Sequence, residues 1–535
     1  MNQKTSGIIL TAAKADITIC EVFGELPTGL IPVNGKPIIF FILQQLYDNG
    51  IVDVYIGVDY KKDKLIEIVD LYFSTKLNIK YIFTDKNRAP GNSLLTILKE
   101  IDNGKVVVNL GDTYIKNFNF SKFDDALVVS NDFLDEKRWA TVRVKDDFIL
   151  EFKDKERSGV DDLYAICGLY TISDLKLIKD FESELDKNIQ ITDLMSAYLK
   201  SKSLKVIKTN EWLDFGHIDK YYISKKRLIQ SRGFNSLEYD DLLGTITKRS
   251  QNKDKFINEI KWQLDLPKSL KVLSPRVLDY SLDSNEPFIT MEFYSYPTLS
   301  EIWLFSELNE KVYISVIDKL LTILRLFKAN KKVVSFDDYM KIYYEKTVRR
   351  VQNIENREIL DLMKHQNINI NGVELKNWSI LQSKLSEKIK ELYNENDNCF
   401  IHGDFCLSNI LYDLRSGIVR LIDPRGIWGS GENGDIKYDV AKLRHSICGD
   451  YDYIVNDLFK IDTLDSSRIC YSIFYSNKQN VKTYFDKRLS DIFNIEHIKL
   501  IEGLLFLSMV ALHKDSASRQ VVMYAKAIKL LNEVL

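Results

Sequence analysis

Residues Cys399–Gly426 read CFIHGDFCLSNILYDLRSGIVRLIDPRG. An apolar approach ends at His402, Gly403 and Asp404, Asn409 lies five residues beyond that aspartate, and a second apolar run, IVRLI, delivers Asp423. Phosphoryl transfer needs a carboxylate to accept the attacking hydroxyl's proton, and an amide and a second carboxylate to hold the Mg²⁺ ions that neutralise a triphosphate. Asp404, Asn409 and Asp423 could fill those three roles. Taken singly, HGD is also a turn after a buried strand and Asp423 a strand-end cap. The ordered set is what carries the chemistry.

This order resembles the catalytic and metal-binding segments of the aminoglycoside phosphotransferase and choline kinase family, whose fold is that of the protein kinases. The resemblance continues into GDIKYDVAKLRHS, where Asp439 occupies the position that braces the catalytic region. It implies Asp404 as catalytic base, Asn409 and Asp423 as Mg²⁺ ligands, and ATP as phosphoryl donor. Arg425 either adds positive charge near the transferring group or is structural. Upstream, Lys248 ends a β-like TITK and Glu259 sits on the helix that follows, spaced for the ion pair that in kinases holds the lysine against the nucleotide phosphates. MEFYSYPTLSEIW resembles the adenine-contacting hinge, and its aromatics are equally suited to a core. Only about ten residues separate the first domain from Lys248, which leaves little room for two strands and a glycine-rich turn over the phosphates. Either Leu243, Gly244 and Thr245 form a short cover, or the first domain supplies one.

At 535 residues the chain exceeds one ordinary core, so several domains are expected. Lys+Arg 74 against Asp+Glu 76 gives a formal charge of -2, which argues against nucleic acid as a ligand. Cys20, Cys167, Cys399, Cys406, Cys448 and Cys470 have no paired spacing, so neither a zinc site nor a disulfide framework is expected. No run approaches the ~18 apolar residues of a membrane helix, and no leader pattern stands at the start. A cytoplasmic protein without membrane insertion is the expectation. Its organisation is expected to be α/β, with an N-terminal domain over 1–230 and a kinase-like α+β domain over 231–535, the latter split into a small lobe 240–297 and a large helical lobe 298–535.

The first domain alternates β-rich runs such as GIILTAA and KVVVNLGD with helical patterns, which predicts a parallel sheet with ligands beyond the carboxyl ends of its strands. Asp112 falls at such an end. LPTGLIPVNGKPII resembles the segment after the first strand of sugar-phosphate and phosphocholine nucleotidyltransferases, a Rossmann-like fold. Further matches to that family are LGDTY with Asp112, EFKDK with Glu151 and Lys153, AICGLY with Gly168, QITDL with Asp193 and WLDFGH with Asp214. The resemblance implies that Asp112 and Asp214 share Mg²⁺ and that Lys153 meets the acceptor's phosphate. Two carboxylates suit a cation that keeps several waters. The family's GxGTR loop, whose amides cradle the triphosphate, appears here as AAKADIT, and Thr28 replaces a lysine. Lys14 and Lys36 are candidates to supply the missing charge toward the nucleotide, and His217 stands where the family has threonine.

The two resemblances together suggest a bifunctional enzyme of bacterial surface polysaccharide assembly, of the capsule or lipopolysaccharide kind. The second domain would phosphorylate a small alcohol, amino-alcohol or sugar with ATP, and the first would transfer a nucleotidyl group, from CTP or another nucleoside triphosphate, onto that phosphate. For a choline acceptor, Trp303, Trp428, Tyr451 and Tyr453 are candidate cage residues. The alternative is a single-activity kinase whose first domain is degenerate and binds or regulates.

Overall fold

The computed structural model describes residues 4–120, 123–133, 139–154, 163–180, 187–228, 235–240, 242–429, 431, 433–474 and 478–535. The chain divides into two units, Met1–Ile229 with Phe305–Glu307, and Gln230–Leu304 with Leu308–Leu535. Residue 231, where the sequence changes texture, lies outside the described residues.

In the first unit the early strands β1 (Thr5–Leu10), β2 (Asp53–Val58), β3 (Asn78–Phe83) and β4 (Lys105–Leu110) alternate with helices α1 (Ile17–Phe23), α2 (Ile38–Asp48), α3 (Lys62–Phe73) and α4 (Pro90–Leu98). These four strands pair parallel in the order β3-β2-β1-β4. Val106, Val107 and Val108 of β4 are fully buried, as expected of a strand covered on both faces. Beyond β4 the elements are β5 (Thr113–Ile115), β6 (Ala126–Ser130), β7 (Ala140–Lys145), β8 (Phe148–Asp154), β9 (Leu163–Ile172), α5 (Ile191–Leu199), β10 (Lys205–Lys208), β11 (Trp212–Asp214) and α6 (Ile218–Arg227).

The expected parallel sheet is in fact mixed. Its nine strands run β3-β2-β1-β4-β9-β6-β10-β8-β7, and β9 is antiparallel to β4, β6 and β7. The physical reason is visible between β7 and β8. Asp146 and Asp147 both take positive φ, the two-residue turn that joins antiparallel neighbours without a crossover helix. Strands β5 and β11 form a separate antiparallel pair in which Asp214 lies opposite Thr113.

The second unit begins with a four-stranded antiparallel sheet of β12 (Asn235–Asp240), β13 (Thr245–Ser250), β14 (Val277–Ser281) and β15 (Phe288–Glu292), ordered β12-β13-β15-β14. Helix α7 (Lys253–Leu264) packs Phe256 and Ile260 onto Ile289 of this sheet. The space before Lys248 is therefore sufficient for two strands and a turn, contrary to the sequence reading, because β12 starts at Asn235 and its turn contains a single positive-φ glycine, Gly244.

After the sheet come α8 (Glu310–Ala329), α9 (Trp378–Leu392), the short strands β16 (Asn398–Phe400), β17 (Ile410–Tyr412), β18 (Val419–Leu421) and β19 (Asn433–Asp435), then α10 (Ile436–Ile447), α11 (Ile495–Val510) and α12 (Ala517–Val534). Every residue of α10 is buried, so it is a central helix rather than a surface one. A four-stranded sheet built from Asn367–Ile370, Val373–Lys376, Phe459–Leu464 and Arg468–Ile473 interrupts the region read as helical. Its Asn371-Gly372 turn, with both residues at positive φ, was the signal to read. Among the described residues no helix is long and apolar enough to cross a membrane.

Candidate active sites

In the second unit, strand β16 leads into the HGD turn and the hairpin of β17 and β18 leads out to Asp423. The turn is fixed from below by Asp439 of α10, which accepts the His402 amide at 2.7 Å and the Gly403 amide at 2.8 Å. Desolvation pushes the Asp439 carboxyl up to about 7 while those two amides pull it back. His402 is buried against Trp262 and Phe405, and its ring accepts the Asp404 amide at 3.3 Å. Burial lowers its pKa to about 4, so this histidine is a neutral structural group.

Asp404 is 38% exposed at its side chain and lies 2.9 Å from Lys442 of α10. Desolvation works to raise its pKa, but the Lys442 ammonium outweighs it and holds the carboxylate below the ordinary range. Asn409 donates to the Asp404 backbone carbonyl at 3.0 Å and to its carboxylate at 3.1 Å, so the two side chains share one site. Asp423 adopts a φ of 52, a left-handed conformation costly for a non-glycine residue and typical of functional positions. Its carboxylate, 51% exposed, accepts from Lys248 at 2.8 Å.

Lys248 also pairs with Glu259 of α7, which joins β13, α7 and the segment after β18 into one charged triad. Gly426 holds that geometry. Its φ is +82, and a Cβ there would lie 2.6 Å from the backbone of Asn258 and Glu259. The residues expected to act together do meet: Lys248, Glu259 and Asp423 on one side, Asp404 and Asn409 on the other. Arg425 bonds the Tyr438 hydroxyl at 2.7 Å. At the expected hinge, the Phe293 amide donates to the Gly244 carbonyl at 2.9 Å.

The choline-cage candidates do not converge. Trp303 and Tyr453 surround the chain's own Lys478, whose ammonium lies 5.0 Å and 5.9 Å from their rings. Trp428 packs instead with Tyr339, Tyr343 and Tyr438, and Tyr451 stacks on His445.

In the first unit, the turn after β4 and the pairing of β5 with β11 bring Asp112 and Asp214 together. The Phe215 amide donates to the Asp112 carbonyl at 2.9 Å, and a Cβ on Gly216 would lie 2.4 Å from the Asp112 carboxylate and 3.4 Å from that of Asp214. Desolvation and the neighbouring Asp214 charge push Asp112 up to about 6. His217 bonds Asp214 at 2.8 Å. Burial lowers the imidazole pKa, but this bond and the charges of Asp214, Asp112 and Asp16 leave it above its ordinary value. Two crowded carboxylates with one histidine beside them could hold a Mg²⁺ ion, which needs few protein ligands. Among the described residues no group of three or more His, Cys, Asp and Glu side chains forms a complete metal cage.

Both carboxylates open on a cavity of about 200 Å³ that is also lined by Pro90 at the start of α4, Gly168 of β9, Gln190 and Thr192 at the start of α5, and Trp139. Trp139 packs 4.4 Å from the His217 ring and 5.0 Å from Trp212. The sequence reading missed it, because a lone tryptophan between strands carries no periodic signal. Lys153 is not among the lining residues and sits 3.7 Å from Glu151. Asp193 caps α5 by accepting the Gln190 amide at 2.8 Å.

The Ala12–Thr28 segment, where the resemblance leads one to expect the triphosphate, is closed on itself. The Ala15 amide donates to Leu26, the Thr28 amide and hydroxyl both bond the Ala13 carbonyl, and Asp16 caps α1. Lys14, expected to serve the nucleotide, has its charge engaged by Glu25 at 2.6 Å. Lys36 is exposed on a short strand.

No protein-family model matches the chain. Its N-terminal ~215 residues resemble sugar-phosphate nucleotidyltransferases. D-glycero-alpha-D-manno-heptose 1-phosphate guanylyltransferase of Campylobacter jejuni is 28% identical over 215 residues, spanning 38% of this chain and 90% of that protein. The enzyme of the same description from Aneurinibacillus thermoaerophilus is 23% identical over 221 residues, 39% of this chain and 92% of its own length. Among solved structures, the inositol-1-phosphate CTP transferase from T. maritima covers 42% of this chain and 97% of its own at 15% identity and a TM-score of 0.35. The relatives are transferases, in accord with the expectation of an enzyme of that class.

Proposed function

We propose that the chain is a two-site transferase of bacterial surface polysaccharide assembly. In this reading the first unit transfers a nucleotidyl group onto a sugar phosphate or related phosphate monoester, and the second phosphorylates a hydroxyl with ATP. The supporting observation for the first reaction is the Asp112 and Asp214 pair at a cavity, in a stretch similar to sugar-phosphate nucleotidyltransferases. For the second it is the assembly of Lys248, Glu259 and Asp423 opposite Asp404 and Asn409. Mg²⁺ would be held by Asp112 with Asp214 and by Asn409 with Asp423, where it would neutralise phosphate charge.

Lys248, paired with Glu259 and Asp423, would orient the nucleotide phosphates, and a Mg²⁺ ion held by Asp423 would supply charge to neutralise them. Asp404, fixed by Asn409 and Lys442, aligns the acceptor hydroxyl and takes its proton. Its low pKa is tolerable because a loose phosphoryl transition state asks more of positioning than of base strength.

A second reading keeps the kinase and makes the first unit a binder. It is favoured by the closed Ala12–Asp16 loop, in which a carboxylate occupies the region where the family has an arginine-bearing loop. The test is ³¹P NMR of the full chain with Mg²⁺, ATP, a second nucleoside triphosphate and a panel of alcohols and sugars. A new phosphomonoester followed by a diphosphodiester supports the two-site proposal. A phosphomonoester that persists with GTP, CTP, UTP and dTTP supports the binder, and neither signal sinks both.

A further inference from the structure

The helix Lys346–Gln352 sets Lys346 and Arg350 one turn apart, directly after a π-helical turn at Lys341–Glu345, a distortion frequent at functional sites. Helix α10 sets Tyr438 and Lys442 one turn apart, and the loop after Asp423 adds Arg425. These three elements meet around the Tyr438 ring. The Lys346 ammonium lies 5.2 Å from the ring centre and the Arg425 guanidinium 5.6 Å, while Lys442 reaches Asp404 at 2.9 Å.

Charge balance in this cluster is one-sided. Among the described residues, Asp404 is the carboxylate that faces it, against the four cations Lys346, Arg350, Arg425 and Lys442. Lys346 is only 8% exposed and makes no hydrogen bond or ion pair with any described residue. Arg350 has a backbone carbonyl, that of Ser508, at 3.5 Å. Burial and the neighbouring cations Arg425, Arg350 and Lys442 bring Lys346 down to about 8, with Tyr438 opposing them. A buried unpaired ammonium is costly to retain unless something arrives to pair with it.

We propose that the alcohol phosphorylated at Asp404 carries an anionic group, a carboxylate or a phosphate monoester, held by Lys346 and Arg350 with Arg425 and Lys442. The proposal rests on the kinase reading of the second unit. A choline or ethanolamine acceptor would face like charge here, and the aromatic cage formed by Trp303 and Tyr453 is filled by Lys478. In the transfer itself the acceptor oxygen bonds the γ-phosphorus as its bond to the β,γ-bridging oxygen breaks. The hydroxyl proton passes to Asp404 and ADP leaves. The competing occupant of the cluster is the transferring phosphoryl group, to which Lys442 and Arg425 are suited; Lys346 and Arg350 come from a separate helix.

The experiment measures ADP formation by the full chain with Mg-ATP and each of choline, ethanolamine, glycerol, glucose, D-glycerate, D-glucuronate, glycerol 3-phosphate and glucose 6-phosphate. ADP formation confined to the anionic compounds supports the proposal, and its division between carboxylates and phosphates identifies the group. Lys346→Met, with Arg350→Gln as a second variant, is expected to raise the acceptor KM by about 10-fold or more, with kcat and the ATP KM nearly unchanged. Turnover of a cationic or neutral acceptor, a loss that falls on kcat or on the ATP KM, or inert anions despite Mg-ATP binding each overturns it. Absence of both Mg-ATP binding and ADP formation instead removes the kinase reading beneath it.

Discussion

The two units treat their acidic groups in opposite ways. In the second, both aspartates face an ammonium: Asp404 has Lys442, and Asp423 shares Lys248 with Glu259. In the first, among the described residues, Asp112 and Asp214 have only His217 between them, and Asp16 adds a further negative charge felt by that histidine. The difference is one of timing. In the second site Asp404 and Asp423 are held by ion pairs before any ligand binds, so these two carboxylates are preorganised. On the proposed function, the first would become balanced when a divalent cation enters, since the described residues around Asp112 and Asp214 supply little positive charge.

The contrast is sharpest at Asp404. Asp404→Asn keeps the hydrogen-bonding shape but removes the proton acceptor and the partner of Lys442. ADP formation is expected to fall by about 10²–10⁴-fold, with nucleotidyl transfer by the first unit untouched. An unchanged rate in a coupled ADP assay would break the assignment of the base.

A smaller effect is expected at Gly426, which acts through Glu259. A Cβ at this left-handed position would strike the backbone of α7, so Gly426→Ala should displace that helix and loosen the Lys248 pair. Destabilisation of about 1–3 kcal/mol in urea unfolding, with a raised KM for ATP, is the expected result. A wild-type KM would separate α7 from nucleotide binding.

An effect on stability alone, no larger than that at Gly426, concerns pH. Lys346 has a folded pKa of about 8 against an ordinary value of 10.5. Between those values the unfolded chain binds the extra proton, so stability rises with pH through that window as the folded lysine sheds its penalty. Lys346→Met is therefore expected to stabilise the protein at pH 7 by about 1–3 kcal/mol. That gain should shrink steadily above pH 8. A pH-independent difference in urea midpoints would mean that the ammonium is solvated or paired.

Much of this was legible in the residues, for reasons that differ by region. HGD, Asn409 and Asp423 could be read because short loops between apolar strands place them by spacing alone, and Asp112 because it follows the valine-rich buried strand β4. Lys442 and Lys346 could not be read as site residues: lysines are abundant, and only the packing of α10 and its neighbouring helix turns these two inward. The mixed sheet was hidden for a similar reason, since an apolar run such as LYAICGLYTI has the same pattern whether its neighbour runs parallel or antiparallel. The Lys14 pairing with Glu25 depends on the fold of a loop that has lost its glycines, and sequence spacing offers no signal for it.

The most direct test is pyrophosphate release by the full chain and by Asp214→Asn, with Mg²⁺, a sugar 1-phosphate panel and each of GTP, CTP, UTP and dTTP. The account predicts release with at least one pair of substrates, reduced by at least about 10²-fold in the variant through loss of metal-held charge, while ADP formation at Asp404 continues at the wild-type rate. No release from the wild type with any pair, or equal loss of both activities in the variant, would contradict two independent transfer sites.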